Sequence, residues 1–285
     1  MFRTSNVKAV GLSNREAAAI RKKQRRVLPG VFSEAKEPWE RYADRCLGVL
    51  EQLKPGAALA GPSAAALLKI PLPAVPRKVY VRNIARGAYG EHLVVMPPGP
   101  AEEVGDVLIS QPARVAADCA RLLSSRGALI VADALLAGDW CDSSDLHRVA
   151  DELAGTTRVQ RVRWVADNAD PLSESPGETW SRLVLSNLGY DVVSQFHVVL
   201  GQREAWLDLL IRGTRLGVEF DGQEKYATYG PRKVVQEKIR DGDLEAEGYR
   251  LIRVVWSQLF DHGKVDSRVR HAGGRPVRRP ITMNW

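Results

Sequence analysis

Three acidic side chains interrupt apolar stretches in the second half of the chain. Asp208 lies within WLDLLI, and Glu219 and Asp221 lie close together in LGVEFDG. Carboxylates are hard oxygen donors, which Mg²⁺ and Mn²⁺ prefer, and such a metal ion can activate water against a phosphodiester bond. Metal-assisted hydrolysis is therefore the chemistry to consider, provided that the fold brings these acids together.

A β-hairpin with its tip at Gly213 and Thr214 would bring them together. Glycine adopts the positive φ that tight hairpin turns require, and a turn at this point places Asp208 directly opposite Glu219. Because side chains alternate along a strand, Asp208, Glu219 and Asp221 then share one face. The opposite face of the hairpin is predicted to be apolar and to carry Leu207, Leu209, Ile211, Val218 and Phe220.

Such a cluster of acids needs compensation. Like charges directly opposite each other on a sheet are unfavourable. The acids must therefore either hold protons or bind a cation, and a divalent metal ion with oxygen ligands is the simplest one. The alternative is an ordinary exposed polar face, because half-exposed strands commonly carry Asp and Glu and the register can slip by one residue. The sequence leaves both interpretations open.

Helices and strands alternate around the acids, as is typical of a mixed α/β domain. The polar stretch ADNADPLSESPGE, which is rich in turn-forming residues, is predicted to be a linker. After it we predict a helix from Glu178 to Leu188, a strand from about Val192 to Leu200, the two hairpin strands, a charged helix from about Pro231 to Gly248, and a final strand in RLIRVVW.

The first half also mixes helices with short strands. An amphipathic helix is predicted where apolar residues recur at helical spacing in EPWERYADRCLGVLEQL, and Ser63 is a candidate N-cap for an Ala/Leu helix. RKVYVRNI and EHLVVMP are predicted to be strands. Further helices are predicted in QPARVAADCARLLSS, SRGALIVADALLAGDW and SSDLHRVADELAG. The whole pattern favours an α/β (α+β) protein of two domains.

Positive charge is concentrated at the two ends of the chain. The net charge is +7, while residues 1–30 carry eight Lys and Arg against one Glu, and residues 263–285 carry six against one Asp. Such concentration suits a polyanion, because neutralised phosphates release counterions. A merely solvated end is the alternative. The candidate nucleic-acid contacts, which include two cations of the charged helix, are Lys22, Lys23, Arg25, Arg26, Lys238, Arg240, Arg278 and Arg279.

The composition argues against several other classes of protein. No apolar run approaches the roughly 18 residues that a membrane helix needs, and the basic N-terminus lacks the apolar stretch of a secretory signal. We therefore expect a cytoplasmic protein without membrane partners. Cys46, Cys119 and Cys141 lie far apart without a CxxC pair, so neither a disulfide framework nor a zinc site is predicted.

The order of the blocks in the second half resembles the PD-(D/E)XK nuclease superfamily. Within it, SPGETWSRLVLSNLGY, LDLLI, GVEFDGQEKY and QEKIRDGDLEAEGYRLIRVVW are most similar to domains related to very-short-patch-repair endonucleases, over about residues 173–260. The resemblance implies a restriction-endonuclease-like mixed sheet flanked by helices. It also implies a metal ion held by Asp208, Glu219 and Asp221, with Glu178 contributing from the preceding helix.

One departure from the superfamily concerns the catalytic cation. The strand ends Glu-Phe-Asp where the superfamily has acid-x-Lys, so Asp221 stands at the lysine position. Lys225 is the candidate to replace that amine, and Lys238 is the second candidate. The alternative for Lys225 is that it is an ordinary surface lysine. Gln195 is interpreted as an edge-strand residue, the orientation of a water molecule being its alternative role. The tryptophans Trp180, Trp206 and Trp256 are predicted to be core residues.

Blocks of the first half resemble the body of AbiEi-type antitoxin and transcriptional-regulator proteins. These blocks are ALAGPSAAALLKIPL, SQPARVAADCARLL and ALIVADALLAGDW, and the resemblance covers about residues 36–165. In that family a winged helix that binds DNA precedes this body, whereas the corresponding stretch here is short and basic. We predict a basic arm or reduced winged helix (1–35), an AbiEi-antitoxin-like domain (36–168), an endonuclease-like domain (169–262) and a basic flexible tail (263–285).

Together the resemblances imply a metal-dependent DNA endonuclease that uses Mg²⁺ or Mn²⁺ in restriction-like defence or mobile-element biology. Double-stranded DNA is the expected substrate, and RNA stays open as an alternative. A homodimer is expected, because duplex cleavage by such small domains usually needs two active sites. The alternative from another class is a non-catalytic, DNA-binding transcriptional regulator of the antitoxin type, with a degenerate nuclease domain.

Overall fold

The chain passes back and forth between two units instead of dividing once. The computed structural model describes residues 2–3, 13, 18–19, 22, 25–84, 90–222 and 231–280. Unit 1 comprises residues 1–123 and 140–167, and unit 2 comprises residues 124–139 and 168–285. Each unit combines helices with a β-sheet, which confirms the predicted α+β class. Residues 124–139, which were predicted to belong to the first domain, lie in unit 2.

A small antiparallel sheet lies near the start of unit 1. Its strands are β1 (Phe2–Arg3), β2 (Arg25–Leu28) and β3 (Val31–Ser33), in the order β1-β3-β2. Gly30 takes the positive φ of 77° at the turn between β2 and β3, and Leu28 and Val31 are buried. The stretch predicted to be a basic arm or reduced winged helix therefore contains a folded hairpin.

The rest of unit 1 packs helices on a five-stranded mixed sheet. Among the described residues its strands follow the order β6-β5-β4-β8-β7, and β4 pairs in parallel with β8. The strands are β4 (Ala58–Leu59), β5 (Val79–Arg82), β6 (Leu93–Val95), β7 (Ala101–Val104) and β8 (Val107–Ser110). The helices are α1 (Pro38–Leu50), α2 (Gly61–Leu67), α3 (Pro112–Leu122), α5 (Ser143–Glu152) and α6 (Val159–Asn168), with α4 belonging to unit 2.

Ser63 does not cap a helix. Helix α2 begins at Gly61, after Ala60 as N-cap, and Ser63 lies inside it with no exposed surface. Its hydroxyl accepts the backbone N–H of Tyr80 at 2.7 Å and lies 2.6 Å from the Tyr42 hydroxyl. The N-cap prediction is wrong because this buried hydroxyl serves tertiary hydrogen bonds between the helices and β5.

One ion pair is sealed inside unit 1. The Arg82 guanidinium on β5 donates to the Asp118 carboxylate on α3, and each side chain is only 2% exposed. A β-carbon placed on Gly99 would lie 2.5 Å from Nη1 of Arg82. The absence of a side chain at position 99 therefore makes room for the guanidinium.

Unit 2 is built on a four-stranded mixed sheet flanked by helices, as predicted. The strand order is β12-β11-β10-β9, with antiparallel pairing except for the parallel pair β11 and β12. The strands are β9 (Val192–Leu200), β10 (Arg203–Ile211), β11 (Leu216–Phe220) and β12 (Arg250–Val254). The helices are α4 (Ser125–Ala137), α7 (Pro176–Asn187), α8 (Pro231–Ala246), α9 (Trp256–Leu259) and α10 (His262–His271).

The hairpin between β10 and β11 has the predicted register. Ile211 pairs with Leu216 and Leu209 pairs with Val218, so the turn contains Gly213 and Thr214. Gly213 has a φ of 75°, which glycine adopts without steric cost. The predicted tip is therefore confirmed, together with the register that brings Asp208 and Glu219 to the same end of the hairpin.

Two apolar clusters cover the two faces of this sheet. One includes Leu209, Ile211, Val218 and Phe220, together with residues of α7 and α10. The other contains Leu207 and Leu210 of β10, together with Leu244 of α8. The predicted apolar face is thus wrong for Leu207. The regular alternation is interrupted between positions 207 and 209, across from a left-handed residue on β9.

Helix α10 corrects the prediction of a flexible tail from residue 263. Residues 262–271 are helical, and the buried side chains of Val265 and Val269 belong to the apolar cluster on the α7 side of the sheet. Tyr190 donates a hydrogen bond to Asp266 at 2.6 Å. The signal in the sequence is weak, because only two valines four residues apart anchor an otherwise charged helix.

Helix α4 is held in unit 2 by a buried acid. Asp133 is 1% exposed and accepts hydrogen bonds from the Thr179 hydroxyl, the Arg182 guanidinium and the Asp170 backbone at 2.7–2.8 Å. Both Thr179 and Arg182 lie on α7, so these bonds join α4 to the helix that precedes the sheet.

Within the described part of the chain, no helix is long and apolar enough to cross a membrane.

Candidate functional site

Asp208 lies across from a strained residue. The antiparallel register of β9 and β10 places Gln195 opposite Asp208. Gln195 has a φ of 44°, a left-handed conformation that costs a non-glycine residue about 1–3 kcal/mol. Oδ2 of Asp208 accepts the backbone N–H of Phe220 at 2.8 Å, which ties β10 to the end of β11. Strain of this kind persists where the surrounding structure fixes it, and it is concentrated at functional sites.

Glu178 is joined to the same place through Gln195. The residue is 7% exposed, and its carboxylate accepts the Gln195 amide at 3.1 Å, the Ser175 hydroxyl at 2.7 Å and the Glu174 backbone N–H at 2.9 Å. Ser175 is the N-cap of α7, so part of this bonding fixes the start of the helix. Glu178 therefore has a structural role and also connects α7 to the strained position on β9.

A cavity of about 650 Å³ opens beside these groups in unit 2. Trp206 on its wall is 49% exposed, and its ring stacks on His197 with centroids 4.5 Å apart. The prediction of a core position is therefore wrong for Trp206 and also for Trp256, which is 41% exposed, whereas Trp180 is buried at 5% exposure. The cavity combines two carboxylates, one amide and one indole in its lining, which is Ala137, Pro171, Leu172, Glu174, Gln195, Trp206 and Asp208.

Glu219 is buried and surrounded by arginine. It is 7% exposed on β11, and its Oε1 lies 2.5 Å from Nη2 of Arg240 on α8. Arg253 is its neighbour in the parallel pairing with β12, with Nε 3.7 Å from Oε2. Arg240 also donates to the backbone carbonyl of Trp206 at 2.6 Å, which links α8 to β10.

Acids of α8 complete this charge network. Arg253 donates to Asp241 at 2.7 Å and to Glu237 at 3.2 Å. Burial lowers the pKa of Arg253, but the hydrogen bond to Asp241 and the charges of Asp241, Glu219 and Glu237 outweigh that effect, so the pKa lies above its ordinary value. Three acids therefore share two guanidinium groups, and Arg253 stays charged.

The predicted metal ligands are of the right chemical type, but their arrangement does not fit a metal ion as it stands. Glu219 is bonded to Arg240, and one oxygen of Asp208 is used by the backbone of β11. Asp221 follows β11, and its backbone N–H donates to the Val254 carbonyl at 2.8 Å. Throughout the described ranges, no group of three or more His, Cys, Asp or Glu side chains could hold a metal ion. Lys225 lies outside the described residues.

The predicted nucleic-acid contacts are mostly exposed. Arg240 differs from them because it is partly buried against Glu219. Arg278 is exposed, although its guanidinium donates to the Ser186 carbonyl at the end of α7. Lys23 lies outside the described residues. The other exposed members of the set are Lys22, Arg25, Arg26, Lys238 and Arg279.

Sequence reasoning missed the partners of Glu219. Arg253 is a charged residue within the apolar run RLIRVV, and a buried charge requires a partner, so its position carried a signal. Arg240 carried none, because the charged face of α8 offers several cations at similar spacing. The distortion at Gln195 also has no signal in the sequence, since glutamine gives no indication of a left-handed backbone.

Comparison with known proteins gives relatives without a described activity. No family model matches the chain, and no solved structure matches it. Two uncharacterised proteins, from two strains of Mycobacterium tuberculosis, are each 28% identical to it over 171 residues. The match covers 59% of this chain and 62% of each relative, so the chain spans less than two thirds of their length.

Proposed function

We propose that unit 2 is a metal-dependent DNA endonuclease, which hydrolyses phosphodiester bonds with Mg²⁺ or Mn²⁺. The observation that supports this most strongly is the strained Gln195, which lies across from Asp208, bonds to the buried Glu178 and lines the same cavity as Asp208. A left-handed glutamine inside a strand is costly, and ordinary sheet packing does not require it. Because Gln195 lies opposite Asp208 and bonds to Glu178, the strained position favours a site that binds charged groups.

The distribution of charge along the chain also favours a nucleic-acid substrate. Exposed cations lie on β2 and after α10, at the two basic ends of the chain. A polyanion that contacts them would be bound mainly through its phosphates, and binding would weaken as salt increases. We propose double-stranded DNA as the substrate, a homodimer as the form that cuts both strands, and the cytoplasm as the location, in restriction-like defence or mobile-element biology.

Nicking of supercoiled plasmid tests the proposal. We expect nicking by the whole protein in Mg²⁺ or Mn²⁺, its loss in EDTA, and losses of at least about 100-fold in Asp208→Asn and Glu219→Gln. Asp191→Asn is the matched control, because Asp191 is an exposed acid of unit 2 that pairs with Arg212 away from the cavity. An RNA panel run in parallel identifies the alternative substrate. Plasmid that stays intact with every metal, or nicking that survives both substitutions, contradicts the proposal.

The second candidate is a non-catalytic DNA-binding regulator of the antitoxin type. The observation that favours it is the ion pair between Glu219 and Arg240, which compensates the acid without a metal ion. The regulator is expected to bind DNA in a salt-sensitive manner without cutting it. Its affinity should also be unchanged by EDTA, which separates it from the endonuclease in one filter-binding series.

A further inference from the structure

Trp206 presents an aromatic ring that the core of the sheet does not use. The residue is 49% exposed, and it belongs to neither of the two apolar clusters on the sheet. It lies opposite His197 in the pairing of β10 with β9, and the two rings stack with centroids 4.5 Å apart. Its backbone carbonyl accepts a hydrogen bond from Arg240 at 2.6 Å. The strand and the stacked imidazole thus hold the indole in place, and the rest of the ring is accessible to a ligand.

A second large apolar side chain lines the cavity beside Trp206. This residue is Leu172, which is 51% exposed. Single exposed apolar side chains are ordinary on a protein surface, whereas two that line one cavity indicate a ligand. The cavity volume of about 650 Å³ lies within the range of roughly 300–1,000 Å³ that is typical of small-molecule sites. The cavity is therefore large enough for a planar group that stacks on the indole.

The polar lining of the same cavity favours a partner that donates hydrogen bonds. Of the described residues that line it, Glu174 and Asp208 are acids, Gln195 is an amide, and none is Lys or Arg. Carboxylates accept hydrogen bonds from N–H donors, and they repel a phosphate group. A neutral planar group with N–H donors on its edge therefore fits this lining better than the backbone of a nucleic acid does.

We infer that this cavity binds an unpaired nucleobase with an exocyclic amino group, whose ring stacks on Trp206 and whose amino group donates to Glu174. The inference rests on the proposed function and deepens it, because it states which part of the nucleic acid enters the cavity. Cytosine and adenine carry such an amino group, whereas uracil and thymine carry carbonyl oxygens at the equivalent place, which a carboxylate repels. Pairing in a duplex occupies that edge of the base, so the base enters from a single strand or after leaving the stack.

Binding of single strands to the whole protein is the first test. Fluorescence anisotropy in EDTA, which prevents cleavage, compares labelled oligodeoxycytidine with oligodeoxyuridine, each about 12 nucleotides long. The two strands have the same backbone and nearly the same base shape, and they differ on the hydrogen-bonding edge of every base. We expect the cytidine strand to bind about fivefold or more tightly than the uridine strand. Equal affinity for the two strands, or binding of neither, overturns the inference.

Substitution of the stacking ring is the second test. Trp206→Ala should weaken binding of the cytidine strand by about fivefold or more, and Trp206→Phe should retain most of the affinity. An abasic strand of the same length binds only through its backbone, so Trp206→Ala and the parent protein should bind it equally. Val199→Ala is the matched control, because Val199 is a 62% exposed apolar residue of β9 outside the cavity lining. Unchanged binding of the cytidine strand by Trp206→Ala, or an equal loss on the abasic strand, overturns the inference.

Substitution of the acceptor is the third test. Glu174→Gln keeps the size of the side chain and supplies an amide, which donates as well as accepts hydrogen bonds. The preference for cytidine over uridine should therefore fall to within about twofold, while stacking on Trp206 is kept. Glu174 is exposed, so this variant carries the test if Trp206→Ala fails to fold. A preference that survives Glu174→Gln unchanged overturns the inference.

The two proposals fail separately. Plasmid nicking by a protein that binds the cytidine and uridine strands equally would remove the base site and keep the endonuclease. A preference for cytidine that depends on Trp206 and Glu174, with no cleavage of any nucleic acid, would remove the endonuclease and keep the base site.

Discussion

The molecule contains two buried pairs of carboxylate and guanidinium with opposite settings. In unit 1, Arg82 and Asp118 are each 2% exposed, and they are packed beneath a glycine that leaves no room for a side chain. In unit 2, Glu219 is nearly as buried, but Arg240 is 30% exposed, reaches a cavity, and shares the acid with Arg253.

The difference shows that burial of an acid does not by itself decide whether its ion pair is structural. An ion pair with both partners sealed exchanges only when the unit opens, because each charge would be left without compensation in the interior. An ion pair with one accessible partner can exchange that partner for another cation. The comparison therefore predicts a stability role for Arg82 and an exchangeable role for Arg240.

The largest expected effect is that of breaking the sealed pair. Arg82→Met leaves the Asp118 carboxylate buried without its cation, and should lower the free energy of unfolding by about 3–5 kcal/mol, measured by urea titration with circular dichroism. The double variant Arg82→Met/Asp118→Leu removes both charges and should recover most of that loss. A single variant that loses less than about 1 kcal/mol would contradict the structural role.

Crowding the sealed pair should have a smaller effect. A β-carbon at position 99 would lie 2.5 Å from the Arg82 guanidinium, so Gly99→Ala should cost about 1–3 kcal/mol in the same titration. Gly90→Ala is the matched control, because a β-carbon there meets nothing within 4 Å. If the two alanines had equal effects, the space around Arg82 would not be tight.

Breaking the partly exposed pair of Glu219 and Arg240 should lower the stability still less. Arg240→Gln leaves Glu219 with Arg253 as its cation, and the Arg240 side chain is 30% exposed in the parent protein. We therefore expect the free energy of unfolding to fall by about 1 kcal/mol or less. Differential scanning calorimetry gives an independent measurement. A loss as large as that of Arg82→Met would show that the two ion pairs are equivalent.

The smallest effect is expected at a fully accessible pair. Arg203 and Asp243 are 62% and 36% exposed, so Arg203→Gln should change the free energy of unfolding by less than about 0.5 kcal/mol. At high salt, the free energies of unfolding of Arg203→Gln and of the parent protein should then be nearly equal. A larger cost would indicate that the cavity shared with Arg240 is part of the structural core.

The elements that could be predicted are those with strong local signals. Strand β9 and strand β11 begin and end where the sequence predicts, because apolar alternation and the turn at Gly213 fix them locally. The hairpin of β7 and β8 was not predicted, since AEEV is a half-exposed edge strand without clear alternation. Helix α6 was also missed, because two arginines, Arg161 and Arg163, separate its apolar residues.

The candidate site was predicted only as a set of acids. Asp208 and Glu219 could be placed on adjacent strands, because a glycine turn and a period of two determine the register. Their partners could not be predicted, because Arg240 and Arg253 reach Glu219 from α8 and β12, and several other cations have equivalent sequence positions. Tertiary packing, rather than local pattern, decides which cation meets a buried acid.

The connectivity of the chain limits how the second half could have been acquired. Unit 2 includes α4, which is encoded before α5 and α6 of unit 1. A gene segment that starts after residue 168 would lack this helix and would leave Thr179 and Arg182 without their Asp133 acceptor. A continuous segment that carries the whole of unit 2 must therefore begin before α4, and it carries residues 140–167 of unit 1 with it.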